Sequence, residues 1–178
     1  MAPPACGSLP AHPGECRFAG PLSPDSLMMA HNILERELSQ ALYTGGLAGV
    51  VAKNTARALN VHFREEEQTV FPLISLIPWL PGGRALPEAE DVQILNYRLA
   101  AAMPGLLEDH RIVTETFMDI AEASRTGDGG RLARFSDLLR LHMRTEEQIH
   151  FPAAILTGET LEAGLEGHRS LRLYFRRL

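Results

Sequence analysis

An eleven-residue motif occurs twice in this chain, and its polar residues are of a kind that rarely faces a protein core. HFREEEQTVFP runs from His62 to Pro72, and HMRTEEQIHFP runs from His142 to Pro152. His, Arg, Glu, Glu, Gln, Phe and Pro recur at the same offsets. A further histidine stands 31 residues before the first copy (His31) and 32 before the second (His110). The chain is therefore a duplicated unit with a period of about 80 residues. Each unit carries one isolated His and one His-x-x-x-Glu pair.

The spacing of apolar residues around these motifs is helical. Leu27, Leu34, Leu38 and Ala41 share one face with His31 in a helix expected from Ser23-Pro24-Asp25 to about Thr44. Ser as cap, Pro at the first position and Asp in the first turn mark its start. A second helix, about 47 to 76, has the stripe Ala52, Thr55, Leu59, His62, Glu66, Thr69 and Leu73. Helical character resumes near Glu90, and Pro104-Gly105 should kink or interrupt it. Leu106, His110, Val113, Phe117 and Ile120 then share a face. A fourth helix, about 131 to 156, carries Leu132, Phe135, Leu139, His142, Glu146, Ile149 and Ala153. A short fifth segment, about 160 to 177, has Leu171, Tyr174, Phe175 and Leu178 on one side and Arg169, Arg172 and Arg176 on the other. No segment alternates with period two. The expectation is an all-α, antiparallel up-down four-helix bundle, built from a duplicated α-hairpin, with a short extra C-terminal helix. Residues 1–22, rich in Pro and Gly, read as an irregular arm, 23–157 as the bundle and 158–178 as the extension.

Six ionisable side chains thus sit inside apolar stripes. A buried carboxylate costs several kcal/mol (order of magnitude) unless it is paired or bound to a metal. No Lys or Arg occupies these stripes to neutralise Glu66 and Glu146. One or two dications would resolve the conflict and would use the four imidazoles as well. Residues i and i+4 lie on one helix face, about 6 Å apart along the axis. His62 with Glu66, and His142 with Glu146, can therefore reach the same small region, with His31 and His110 approaching from facing helices. Mixed imidazole and carboxylate donors favour iron over manganese or zinc.

On these motifs the chain resembles the hemerythrin-like, or HHE cation-binding, domains, over about residues 24 to 156. The resemblance implies a non-haem di-iron centre, two iron ions joined by an oxo or hydroxo bridge. It makes His31, His62, His110 and His142 terminal ligands and Glu66 and Glu146 bridging carboxylates. It also implies binding of dioxygen or nitric oxide, for sensing, storage or delivery. The alternatives are a di-iron enzyme acting on peroxide, oxygen or nitric oxide, and iron storage or donation for iron-sulfur repair. Oxygen carriers of this family place a further His four residues after the first on the third helix. Here that position is Thr114, which leaves room for an exogenous small diatomic ligand or anion. His150 and Glu35 are the two residues that could close the gap.

The remaining features are plainer. Glu67 and Glu147 should point about 100° from the ligand face and be solvated or paired with Arg64 and Arg144. Phe63, Phe71 and Phe151 read as core packing. Cys6 and Cys16 are too few for a disulfide framework and flank His12 in the arm. The net charge of −5 argues against a nucleic-acid partner. No apolar run is long enough to span a membrane, and the N-terminus lacks the features of a secretory signal. A cytoplasmic location is expected, with room for a protein partner or a homodimer.

Overall fold

Every element is helical in the computed structural model, which describes residues 24–41, 43, 46–80, 88–123 and 130–175. Helix α1 (Asp25–Ala41) opens where the Pro24 carbonyl accepts the amides of Leu27 and Met28 at 3.0 and 3.2 Å. Asp25 lies in its first turn, where the helix dipole favours an acid. Then come α2 (Gly46–Thr69), α3 (Phe71–Ser75) and a tight turn at Ile77–Trp79. Helices α4 (Ala89–Ala123) and α5 (Gly130–Thr145) are next. A wide π turn (Glu146–His150) leads into α6 (Phe151–Phe175). Helix α1 packs on α2 and α5, α2 packs on α4, and α4 packs on α5 and α6. No helix among the described residues is long and apolar enough to cross a membrane.

Four expectations need correction. Of the kink or interruption expected at Pro104-Gly105, the interruption is absent, because α4 runs through it. A proline inside a helix leaves the carbonyl four residues earlier without a donor. Both Pro104 and Ala100 are exposed, so water can serve that carbonyl. The C-terminal segment is not a separate short helix either, since α6 continues unbroken from Phe151 to Phe175. No proline comes after Pro152 to stop it. Gly158 lies where an added Cβ would run into the Asn96 amide, so α6 lies close against α4. The Asn96 amide in turn donates to Glu162 at 2.9 Å.

The third correction is the π turn, which interrupts the fourth expected helix. Pro152 has no amide hydrogen for the Gln148 carbonyl, and the Phe151 amide bonds the Glu146 carbonyl, five residues back. The extra residue in the turn rotates the helix beyond it. Ile149, expected on the buried stripe, is 59 % exposed, while Phe151 and Ala154 are buried in its place. The fourth correction is the second helix, expected to about 76, which ends at Thr69 and gives way to α3; its stripe still keeps its register, with Ala52, Thr55, Leu59, His62, Glu66 and Thr69 of α2 and Leu73 of α3 all buried. The side chains of Phe117, Ile120 and Trp79 lie outside the described residues, as do those of the expected C-terminal stripe and the whole of the arm with Cys6, His12 and Cys16.

The apolar core falls into two clusters. One contains Leu34, Leu38, Leu59, Phe63, Phe135 and Met143, from α1, α2 and α5. The other contains Phe71, Leu76, Leu95, Leu106, Phe151 and Leu161, from α3, α4 and α6 and the turn after α3. The six polar residues singled out by the motifs touch both. His31 stacks on Phe63 of the first cluster with ring centroids 4.0 Å apart, and tilts against Phe71 of the second at 5.0 Å. His110 stacks on Phe151 at 5.5 Å. The phenylalanines expected as core packing are that, and they also wall the polar layer.

Candidate metal centre

His31, His62, Glu66, His110, His142 and Glu146 converge from α1, α2, α4 and the end of α5. They form two groups of potential donors. One is His31, Glu66, His142 and Glu146, and the other is His62, Glu66, His110 and Glu146, with donor atoms within 4.8 Å of one another in each. Both carboxylates belong to both groups. Each group takes one imidazole from each half of the duplicated chain, a pairing that spacing alone left open. Glu66 and Glu146 are fully buried.

The contacts across the layer are close. Nε2 of His31 lies 3.3 Å from Glu66 and 3.7 Å from Glu146. Nε2 of His62 lies 3.4 Å from Glu66, and Nε2 of His142 lies 2.9 Å from Glu146. Nε2 of His110 lies 3.5 Å from Glu146 and 3.0 Å from Nε2 of His62. The imidazole–carboxylate separations are those of ion pairs, whereas the Nε2 atoms of His62 and His110 are hydrogen-bonded to each other. Both oxygens of Glu66 and of Glu146, with Nε2 of His31 and of His142, are buried without a hydrogen-bond partner. Buried polar atoms are almost always satisfied. Atoms left over in this pattern, aimed at shared points, fit a cation.

The outer ring nitrogens fix the tautomers. Nδ1 of His31 donates to Glu67 at 3.0 Å, Nδ1 of His62 to Asp109 at 3.3 Å and Nδ1 of His110 to Glu147 at 2.9 Å. An ionised carboxylate can only accept, so Nδ1 carries the hydrogen. In a neutral ring Nε2 is then a lone pair facing inward, so the close approach of the His62 and His110 Nε2 atoms requires a proton or a cation between them. This carboxylate–imidazole arrangement orients metal ligands and raises their basicity.

Glu67 and Glu147 therefore do not pair with Arg64 and Arg144 as expected. Each reaches back across a helix interface to the isolated histidine of its own half. The recurrence of Glu-Glu, as Glu66-Glu67 and Glu146-Glu147, was the available signal. For Asp109 no repeat exists, and only the fold shows its role.

Without a metal, protons supply the positive charge. Burial alone draws the His31 imidazole down, but Glu146, Glu66 and Glu67 together outweigh it and hold it at about 10. His110 is raised in the same way, with Glu146, Glu147 and Glu66 overcoming burial. Burial pushes the Glu146 carboxyl up, yet the imidazoles of His110, His142 and His31 win and hold it well below the ordinary carboxylate range. The cluster is built to surround positive charge. Imidazole and carboxylate donors suit a first-row transition ion such as iron.

Other candidates from the sequence lie outside both groups. His150 is half-buried, its Nδ1 is buried without a partner, and burial lowers its basicity. Glu35 is exposed. Thr114 donates to the Met143 sulfur at 3.6 Å and borders a cavity with His110 and Glu147. Tyr43 and Tyr97 are exposed, so neither reaches the centre. A larger cavity, about 650 Å³, lies between α4 and α6 and is lined by Asn96, Leu99, Met103 and Ile155, without any of the six residues. Its position, away from every candidate donor, separates it from this chemistry.

No curated protein and no solved structure matches the chain. The family model of the hemerythrin HHE cation binding domain matches residues 25–154. The chain belongs to that family.

Proposed function

We propose that this member of the hemerythrin HHE family holds two iron ions between Glu66 and Glu146 and binds a small diatomic ligand, dioxygen or nitric oxide, for sensing, storage or delivery. The observation that carries this reading is the sharing of two buried, unpartnered carboxylates by two pairs of imidazoles. His31 and His142 would serve one ion, and His62 and His110 the other. The closed sequence of contacts from α1 to α2, α2 to α4, α4 to α5 and α5 back to α1 supports an up-down four-helix bundle made of two like hairpins.

Iron at these positions would supply coordination sites and reversible one-electron chemistry. The chain's own residues set the conditions for it. Glu67, Asp109 and Glu147 hold the outer nitrogens of three rings, so that the inner lone pairs need no reorganisation. Phe63, Phe71 and Phe151 close the layer with apolar surface and keep water away. Thr114 places a small hydroxyl, already given to Met143, where a fifth imidazole would otherwise stand, and so leaves a position for an exogenous ligand.

The test combines elemental analysis with rapid-mixing spectra. Protein produced with ample iron should contain two ions per chain. Mixing the reduced protein with dioxygen or nitric oxide should give a reversible adduct. One ion or fewer per chain, or zinc throughout, would refute the di-iron reading. Turnover of peroxide, oxygen or nitric oxide would replace binding with catalysis. Quantitative transfer of iron to an acceptor protein would make the chain a donor.

A further inference from the structure

The cavity of about 650 Å³ between α4 and α6 shares no residue with the metal layer. Leu99, Met103, Leu107 and Ile155 make most of its wall apolar. Its size and lining are those of pockets that take small organic molecules, mostly apolar with a few placed polar groups. Leu107 and Ile155 are 44 % and 40 % exposed, so the wall reaches the surface and a ligand can enter from solvent.

The polar groups of the wall offer acceptors and no positive charge. Glu159 and Glu162 stand three residues apart on one side of α6 and both line the cavity. Ala100 lines it as well, and its carbonyl is the one that Pro104 leaves without a helix donor. The Asn96 amide is already given to Glu162 at 2.9 Å. Asn96 can lie against α6 because Gly158 has no side chain in its way. That contact holds the half-buried Glu162 carboxylate in the cavity wall. None of the described residues that line the cavity is basic.

We propose that this cavity binds an organic cation with an apolar body, an alkyl- or arylalkylammonium, whose head meets Glu162 and Glu159 and whose body lies on Leu99, Met103, Leu107 and Ile155. The ammonium hydrogens would go to the two carboxylates and the freed Ala100 carbonyl, with the charged pairs the stronger bonds. The same two carboxylates repel an anionic amphiphile such as a fatty acid. A neutral apolar ligand would cover them without pairing them, which costs free energy. A metal ion would find too few oxygens on so apolar a wall. Met103, with its flexible thioether, lets the wall fit bodies of different shape. The proposal is independent of the di-iron reading.

The experiment titrates the metal-loaded, full-length chain by calorimetry with octylammonium and with octanoate, which share an apolar chain and differ in the charge of the head. Octylammonium should bind at a single site, about tenfold or more tighter than octanoate. Glu162→Gln keeps an acceptor for Asn96 and removes the charge. It should weaken octylammonium about tenfold and leave octanoate no weaker, a change of preference that a merely structural effect would not produce. Glu159→Gln, at the exposed rim, should weaken octylammonium about threefold. Ala100→Trp should fill the space and abolish binding of both. Metal content equal to that of the unaltered chain shows that each variant keeps its bundle. Equal affinity for the two probes overturns the proposal. So does octylammonium binding that is undiminished in both glutamine variants, or in Ala100→Trp. Self-association of the chain that excludes octylammonium gives this face to a second copy and overturns it too. None of these outcomes bears on the di-iron reading, which elemental analysis tests separately.

Discussion

After His62 and Glu66 the chain closes its turn in the ordinary way, with the Val70 amide bonded to the Glu66 carbonyl at 2.8 Å, four residues back. After His142 and Glu146 it opens into a wider turn, with the Phe151 amide bonded to the Glu146 carbonyl. Both copies end in Phe-Pro, and both prolines withhold an amide hydrogen. The first copy answers by ending α2 and starting α3, and Val70 and Leu73 stay in the core. The second answers by taking an extra residue into the turn. Ile149 moves to the surface and His150 turns partly inward. The groups at this position differ as well. Val70 is wholly apolar and packs without cost, whereas His150, only partly inward, already has a buried Nδ1 without a partner. Identical ligands thus sit on two different backbones, and the duplicated site is symmetric in its donors but not in its supports.

The largest effect that would break this comparison is expected at the carboxylates. Glu66→Ala and Glu146→Ala should each lower the metal content from two ions to one or fewer, because each carboxylate belongs to both donor groups. Elemental analysis after gel filtration is the measurement. Retention of two ions in either variant would show that one half suffices and that the donors, too, are unequal.

A smaller effect should appear in the pH dependence of the metal-free protein, where the halves are expected to act alike. His31 and its counterpart His110 are both raised from 6.5. A raised base stabilises fully below the unfolded value, and this contribution fades as pH climbs, for His31 through about 10. Glu146 is lowered from 4.5, so its contribution holds above that value and is lost on acidification. The metal-free protein should be most stable between these limits and should weaken toward alkaline pH. Iron requires neutral imidazoles and does the reverse on the acid side. The gap between loaded and metal-free melting temperatures should therefore widen from about pH 5 to about pH 9. A constant gap would mean that protons do not stand in for the ions.

The smallest effect sharpens the contrast between the two turns. Val70→Ala removes two fully buried methyl groups and should destabilise the metal-free protein by on the order of 2 kcal/mol. His150→Ala, at the matching motif position, removes a buried nitrogen without a partner and should cost less than half as much. Denaturant melts of the two variants make the comparison. Equal losses would mean that His150 packs as an apolar residue does and that the wider turn has no bearing on it.

Much of this was legible in the linear chain. The stripe of α2 from Ala52 to Thr69 is buried as its 3-4 spacing requires, because register along a single helix depends only on neighbouring residues. The six candidate donors were readable for the same reason: each lies within an apolar stripe, and stripes on packed helices must face one another. The bounds of α4 across Pro104 were not readable, since whether a freed carbonyl meets water depends on which side the helix shows to solvent. The π turn was not readable either, because two prolines in the same motif produced two different backbones.

Local periodicity settles the helical class and places the polar motif residues on apolar stripes, so these belong to the linear chain. How those residues pair was decided by packing. It joined His31 to His142 and His62 to His110 across the two halves and brought Glu67, Glu147 and Asp109 to the outer nitrogens. Those contacts join residues far apart in the chain on different helices. Their geometry depends on how the helices are rotated and seated against one another, which no single helix's sequence specifies.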